Sequence, residues 1–567
     1  MGHSYRRRRA ILPLLLPLII AWSGLCIVQA ASRTGDDNVC QAGDESCASQ
    51  HQQQQPVGSL RPSHLPQPVV FTDFASNSTV TLPDTGMELE VAIGKVTQIN
   101  QFSSSTLTTE ATEFSVIPQA LSRASVDQVL DILNDYQDYD EDPDTVDGMP
   151  TYEIFVDSPE VNEKKITNKV RDSDPKFLPD RVKMRDHLQS ILQPYLKTVL
   201  TPYIQQQYPE VCTQKGADRV CTPCYSLIRR YRHGDRVSHA THHDGQAIVT
   251  VVVSLSDYDV DYRGGLYAST GFGQQEYLAL NKGDAVVHRS TLLHGVKVYD
   301  TLHEPEKTHR WSWIMWYRDS TSCQDHSYEW FAECAHAGNS ACQQLHSTKV
   351  TQIPGISKEE ASKQVLEWNM KAAKGGAGMS AIKIARAYLH QLPSQLPLSI
   401  ELAAEYFQMA IASHNPDGHY GMAQLLLQQV SYEQQTQQLK VAMDNTEIIQ
   451  AVQHLEAAAK LGHAYSQFNL GMVHTYGYAT GQIDGAVAAE WFAASGLPEG
   501  YYIAAQQARA IGNRARFNEC GEMAAKLGFT APWRKQAREA TGSGGAGGVS
   551  LNLPWPAAMD GRRPPQV

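Results

Sequence analysis

Beyond residue 28 the chain has no uninterrupted run of about 18 apolar residues, the length that a membrane-spanning helix requires, so the body offers no candidate bilayer span. It also lacks net positive charge. The formal charge is −12 and the pI is near 6.0, which argues against nucleic acid as the main partner, because holding phosphates takes a net basic face. Four cysteine or histidine ligands at regular spacing, as a structural zinc site needs, cannot be assembled. Cys221-Thr-Pro-Cys224 has thiol-oxidoreductase spacing, but no strand-to-helix start surrounds it. Length is not lacking: 567 residues are too many for one core and suggest two to four units.

The N-terminus carries Arg6 to Arg9, an apolar run from Ala10 to Val28 interrupted by Pro13 and Pro17, and then Val28-Gln29-Ala30 before Ala31 and Ser32. This reads as a secretory signal over residues 1–30, cleaved after Ala30. The same run is long enough for an uncleaved type II anchor, and the prolines and small cleavage-site residues favour removal. Either way the body faces an oxidising compartment, with the endoplasmic reticulum lumen as the expected location and secretion or a type II membrane form as the other outcomes. The nine cysteines beyond Cys26 are therefore disulfide candidates. Cys40 and Cys47 suit a local loop, Cys212, Cys221 and Cys224 sit together, Cys323, Cys334 and Cys342 form a third cluster, and Cys520 stands alone. An odd number leaves one free. Asn77-Ser78-Thr79 is a glycosylation sequon.

Residues 31–113, rich in Ser, Thr, Gln, Asp and Pro, read as a flexible, low-complexity region with a few short strands near Thr79 to Ile99. Residues 114–320 read as a packed domain. Ser125 can cap a helix carrying Val126, Val129, Leu130 and Leu133 on one face. Asp135 to Asp147 is an acidic surface turn, and Arg181 to Tyr208 is one helix with core positions from Met184 to Leu200. Beyond Tyr225 the period shifts to strands at Ile248 to Leu255, Gly283 to Val287 and Arg310 to Tyr317. Helices followed by clustered strands imply a β-sandwich or jelly roll with a helical layer. Over residues 323–535 an aromatic, small-residue, glycine pattern recurs at Trp330, Trp368, Tyr406, His454 and Trp491, a period near 38 residues with an insertion around Val430 to Asp444. Such a period means helical hairpins stacked into a solenoid. Residues 536–567, rich in Gly and Pro, read as a disordered tail.

Two imidazoles and one carboxylate on one face bind iron(II) and leave positions open for a co-substrate and oxygen. His242-x-Asp244 places both side chains on one strand face. It precedes the Ile248 to Leu255 strand, whereas the competing His233-Gly234-Asp235 is centred on a glycine and looks like a turn. His294 and His288 are the candidates for the third ligand. His294, in Leu293-His294-Gly295-Val296 just before the last strand, is preferred, and His288 can simply be packed. Arg310 and Ser312, at i and i+2, share a strand face with Ile314 and Trp316. An inward arginine is costly unless it meets a carboxylate, and no acid lies on that face, so a dicarboxylate ligand is the natural partner.

In this order, Tyr231-x-x-Gly234, His242-x-Asp244, Gly264-Gly265, Gly283-Asp284, His294-Gly295-Val296 and Arg310-x-Ser312 resemble the 2-oxoglutarate and iron(II)-dependent dioxygenases, in the prolyl 4-hydroxylase-like branch. The stretch from Ala464 to Gly496 resembles the Sel1-like subtype of the tetratricopeptide family through Leu470-Gly471, Tyr476-Gly477, Asp484, Trp491-Phe492 and Gly496. The resemblance implies an α+β multidomain chain, with a double-stranded β-helix (jelly-roll) oxygenase domain and flanking helices followed by an all-α Sel1-like solenoid. It implies iron held by His242, Asp244 and His294, with 2-oxoglutarate gripped by Arg310 and assisted by Ser312 and Tyr231. Molecular oxygen would be the co-substrate and L-ascorbate the reductant. The implied activity is hydroxylation of a peptidyl residue, proline first, with the repeats holding a protein substrate or partner. Residues Asp300 to Lys307 lengthen the connection between His294 and Arg310. Two other readings remain: a Sel1-repeat adaptor with a degenerate oxygenase domain, and a zinc hydrolase, which would leave Arg310 and Ser312 without a role.

Overall fold

The computed structural model describes residues 60–62, 69–82, 85–102, 107–136, 151–157, 179–212, 223–232, 236–269, 274–299, 308–318, 328–390, 396–429 and 446–526. The signal, the acidic loop from 137 to 147, the His233 to Asp235 tripeptide, the 300–307 connection, the insertion at 430–444 and the tail lie outside the described residues, as does the pairing of Cys40 with Cys47, whereas Asn77 of the sequon is described and exposed. The chain divides into two compact units, Pro66–Gly421 and a second that takes the described residues 60–62 and those from Met422 onward.

The first unit contains two sheets. Strands β1 (Val69–Val70), β2 (Phe74–Thr81), β3 (Glu88–Phe102) and β4 (Leu107–Ile117) precede helix α1 (Arg123–Asp135) and β5 (Tyr152–Asp157). Helices α2 (Pro179–Tyr195) and α3 (Thr201–Gln207) follow. The remaining strands are β6 (Tyr225–Arg232), β7 (Ser238–His242), β8 (Val249–Ser254), β9 (Gly264–Ser269), β10 (Gln275–Tyr277), β11 (Ala285–Arg289), β12 (His294–Val298) and β13 (His309–Tyr317). An 8-stranded sheet runs β2-β3-β4-β11-β8-β13-β6-β5, and a 5-stranded sheet runs β1-β10-β9-β12-β7. The paired strands are antiparallel except β1 with β10.

The central strands are buried on both faces, which is why β8 reads as a continuous apolar run. One face of the large sheet, with Val249, Val251, Val253, Trp311, Trp313, Met315 and Tyr317, packs with Val126, Val129 and Leu133 of α1 and with Leu188 and Leu192 of α2. The other face contributes Leu227, Val252, Val286 and Ile314 to a second cluster shared with Leu266 and Ala268 of β9 and Val296 and Val298 of β12. The site lies in this second, intersheet layer.

Four sequence expectations change. The region expected to be flexible up to residue 113 contributes β2, β3 and β4, which extend the large sheet through the β4 to β11 pairing. Helix α1 is capped by Ser122, whose side chain accepts from the Ser125 amide. The helix starts one turn earlier than Ser125, whose hydroxyl, like that of Ser122, instead meets Tyr195 of α2. The helix expected over 181–208 is broken into α2, a π-helical turn at Leu196–Leu200, and α3. Pro194 and Pro202 explain the break, since neither has an amide hydrogen to sustain the α ladder. The strand expected at Gly283 to Val287 begins two residues later, because Gly283, at φ 92°, and Asp284 form the entering turn, with the Asp284 carboxylate accepting from the amides of Gln119 and Asn281.

The helical part continues with α4 (Ala332–His336), α5 (Ser340–Ser347), α6 (Lys358–Lys374), α7 (Gly378–Tyr388), α8 (Ile400–Ala412) and α9 (Pro416–Gln429). The second unit adds α10 (Thr446–Lys460), α11 (Ala464–Tyr476), α12 (Gly485–Ala494), α13 (Pro498–Ala510) and α14 (Arg514–Lys526). The glycine of the repeat pattern ends the first helix of a pair: Gly376, Gly462 and Gly496 all have positive φ, a backbone state that glycine reaches without a Cβ penalty. In the hairpin between α8 and α9, which lacks the glycine, His414 occupies that state at φ 55°. Cys334 and Cys342 form a disulfide linking α4 to α5, Cys224 is also disulfide-bonded, and Cys520 is a buried free thiol whose burial pushes its pKa up to about 11. No described helix is long and apolar enough to cross a membrane.

Candidate metal centre

The end of β7 and the start of β12 place two imidazoles side by side, because His294 and His242 are directly paired across the ladder. The register slips between His294 and Val296, and such irregularities re-aim side chains. Asp244 follows two residues after the end of β7. The ligand atoms of His242, Asp244 and His294 lie within 4.8 Å of one another, and all three residues are buried. His242 Nε2 is 3.3 Å from Asp244 Oδ1, and His294 Nε2 is 3.6 Å from Oδ2.

The backbone sets the tautomers. His242 Nδ1 lies 2.8 Å from the Ala240 carbonyl, and His294 Nδ1 lies 3.0 Å from that of Leu292. Each carbonyl can only accept, so Nδ1 carries the hydrogen and the Nε2 lone pairs face Asp244. Burial alone pushes the Asp244 carboxyl up, but the neighbouring His294 and His242 outweigh it and hold it well below the ordinary carboxylate range. Burial pushes His294 well below the usual imidazole value against the pull of Asp244. A carboxylate beside a neutral imidazole, with a second imidazole turned toward them, is a donor set that fits a divalent transition metal.

Sequence reasoning missed the residues that hold Asp244. Thr250 donates its hydroxyl to Asp244 Oδ2 at 2.5 Å, and Gln246 Nε2 donates to Oδ1 at 3.3 Å. The signal was present: Thr250 is the polar residue in Val249-Thr-Val-Val-Val, on the same strand face as Val252, which points into the intersheet layer. His239 was missed too. Its ring centroid is 4.3 Å from that of His242, and burial pushes its pKa well down.

The rejected candidate His288 is fully buried on β11, with its ring centroid 4.5 Å from that of His294. It is not one of the three residues whose ligand atoms converge. Its Nδ1 lies 3.0 Å from the Arg289 carbonyl, and Nε2 meets no partner among the described residues.

Arg310 is 0% exposed. Its Nη1 donates to Ser312 Oγ at 3.1 Å, while Nε and Nη2 meet no hydrogen-bond partner among the described residues. The guanidinium carbon lies 5.6 Å from the Tyr262 ring centroid and 5.9 Å from that of Tyr231, and Tyr231 faces Arg310 across the β6 to β13 ladder. Gly265 makes room on the opposite sheet. It has φ 89°, and a Cβ there would come within 2.6 Å of the Tyr262 ring and 3.3 Å of Arg310 Nε. Elsewhere on this face a buried arginine does have its acid: Arg229 donates to Glu153 through Nε and Nη2 at 3.0 and 2.7 Å. Two unsatisfied guanidinium nitrogens in a dry layer fit a carboxylate-bearing ligand.

No protein-family model matches the sequence, and no curated protein matches it. Similar solved structures include both Sel1-repeat proteins and 2OG-Fe(II) oxygenases. A Sel1 repeat protein from Oxalobacter formigenes is 18% identical at a TM-score of 0.29, over 42% of this chain and 62% of its own. This chain thus spans less than two thirds of that protein. An oxidoreductase of the 2OG-Fe(II) oxygenase family from Burkholderia pseudomallei is 15% identical at a TM-score of 0.24, over 36% of this chain and 84% of its own. A prolyl-4-hydroxylase from Pseudomonas putida gives 15% and 0.24, over 36% and 92%. Likenesses this distant carry no functional argument, which rests on the residues themselves.

Proposed function

We propose that this chain is an iron(II)- and 2-oxoglutarate-dependent dioxygenase that hydroxylates a peptidyl residue, proline first, in the secretory pathway, using the repeats to hold a protein substrate or partner. The observation that carries the reading is Arg310: a fully buried guanidinium with Nε and Nη2 unpartnered among the described residues, in the same intersheet layer as a convergent His-Asp-His set. The proposal includes a double-stranded β-helix formed by the two sheets and L-ascorbate as reductant.

Iron with 2-oxoglutarate and oxygen supplies the oxidising power for C–H hydroxylation, with succinate and carbon dioxide as co-products. The chain's residues position and shield. His242 and His294 offer Nε2, each fixed through Nδ1 to a backbone carbonyl, and Asp244 offers a carboxylate anchored by Thr250 and Gln246. Arg310 and Ser312 take the distal carboxylate of 2-oxoglutarate, since Ser312 accepts from Arg310 and keeps its own hydroxyl hydrogen to donate. Tyr231 and Tyr262 wall the guanidinium from water. A zinc hydrolase would use the same three metal ligands and would leave Arg310 idle.

The test is 2-oxoglutarate binding and succinate formation by the purified protein with iron(II) and ascorbate, with and without proline-rich peptides. Binding of 2-oxoglutarate and peptide-stimulated succinate are expected. Absence of 2-oxoglutarate binding by metal-loaded protein overturns the reading.

A further inference from the structure

The second unit holds a contact across 431 positions of sequence. Trp491, the aromatic of the last full repeat, is 0% exposed, and its indole Nε1 donates to the backbone carbonyl of Leu60 at 3.1 Å. Leu60 is 4% exposed. The next residue, Arg61, places Nη2 3.8 Å from Asp484 Oδ2, with both side chains nearly half exposed. On α11, His474 is 4% exposed, its backbone carbonyl accepts from the Asp484 amide at 3.0 Å, and its Nε2 meets no partner among the described residues. Burial pushes its pKa down, with Asp484 raising it and Arg61 lowering it further.

These contacts combine three ways of reading a peptide. An indole N–H, a donor with no acceptor capacity, takes a main-chain carbonyl, here that of Leu60, a residue outside any helix or strand. A buried position takes an aliphatic side chain. An exposed carboxylate takes the following basic side chain, and an exposed pair of this kind adds selectivity more than affinity. Repeat solenoids present surfaces suited to such segments.

We propose that the terminal repeats carry a peptide-recognition groove, built on Trp491, Asp484 and His474, whose resident ligand is the chain's own Leu60-Arg61 segment. A partner presenting an aliphatic-basic pair competes with that segment for the groove. A tethered ligand acts at an effective concentration set by its linker, so a free peptide of the same sequence is disfavoured while the segment is seated. The inference uses neither the metal centre nor turnover, so it stands or falls apart from the oxygenase reading.

The test uses the full chain and a labelled synthetic peptide spanning residues 55–66, followed by fluorescence anisotropy. Leu60→Asp in the chain vacates the groove, and Arg61→Glu, which removes only the exposed ion pair, vacates it in part. The peptide is expected to bind the Leu60→Asp chain at least tenfold more tightly than the unaltered chain, with the Arg61→Glu chain between them. A peptide carrying Leu60→Asp is expected to lose binding, and one carrying Arg61→Glu to weaken at least threefold. These peptide variants leave the protein's fold untouched. Equal affinity for the unaltered and Leu60→Asp chains, or no binding to either variant chain, overturns the proposal.

Discussion

The two faces of the large sheet obey opposite rules. On β13, Trp311, Trp313, Met315 and Tyr317 point into the layer under α1 and α2, whereas Arg310 and Ser312 point into the intersheet layer. On β8, Val249, Val251 and Val253 take the first face, and Thr250, Val252 and Ser254 take the second. Because side chains alternate strictly along a strand, neighbouring residues serve different ends: one set excludes water to hold the sheet together, and the other mixes apolar residues with the polar groups of the site. A buried guanidinium with unpaired nitrogens costs stability, and the apolar face offsets that cost. The comparison teaches that stability and ligand binding are separable here by single-residue steps along one strand.

The hardest test of that separation is Asp244→Ala. It removes the only carboxylate of the convergent set, so bound metal and turnover are expected to be abolished while the thermal melt of the metal-free protein moves by only a few degrees. Metal content by mass spectrometry and a calorimetric scan decide it. Full metal retention would place the centre elsewhere, among the neighbouring His239 and His288. The mirror-image test is Trp313→Ala on the other face. Trp313 is 0% exposed, and emptying such a position costs about 3–5 kcal/mol. Denaturant unfolding should show that loss, while the metal affinity of the remaining folded protein stays unchanged.

Arg310→Leu sharpens the comparison by giving opposite signs in two measurements. With 2-oxoglutarate present, losing a charge-assisted contact is expected to weaken its binding by about 2–3 kcal/mol, roughly 30–150-fold. Without it, the melt is expected to hold or rise, since an unpaired buried charge is replaced by an apolar side chain. A large drop in the ligand-free melt would mean that the guanidinium is structurally paired, and the ligand assignment would fail.

Strand parity made the second face partly legible. Arg310 and Ser312 could be placed with Ile314 from spacing alone, and His242 could be favoured over His233 from the strand that follows. What could not be read was anything set by partners distant in sequence. The room that Gly265 leaves beside Arg310 and the pairing of His294 with His242 depend on register between strands, which no local pattern encodes, whereas the tie of Thr250 to Asp244 is local and its signal was the polar residue within the Val249 to Val253 run. Helix breaks were misread for a different reason: Pro194 sits inside a run whose apolar spacing continues through Leu196 and Leu200, so the period survives while the hydrogen-bond ladder does not. The repeats were legible because each glycine marks a turn that the backbone requires, and the contact of Leu60 with Trp491 was not, because so short a segment carries no period.

Thr250→Val is the smallest and most selective change. Valine keeps the shape and the strand preference, and its neighbours on β8 are valines already, so packing changes little and the stability loss, about 1–3 kcal/mol, comes from the buried Asp244 oxygen left without its donor. Only the hydroxyl that holds Asp244 Oδ2 disappears. Loss of such an outer partner weakens metal binding by about 10–100-fold, and the lower end is expected because Gln246 still donates to the other oxygen. A competition titration against a chelator measures this directly. Serine at the same position restores the hydroxyl with one methyl fewer, so Thr250→Ser should recover most of the affinity. If valine and serine behave alike, Thr250 acts through packing, and the polar character of this face at β8 has another cause.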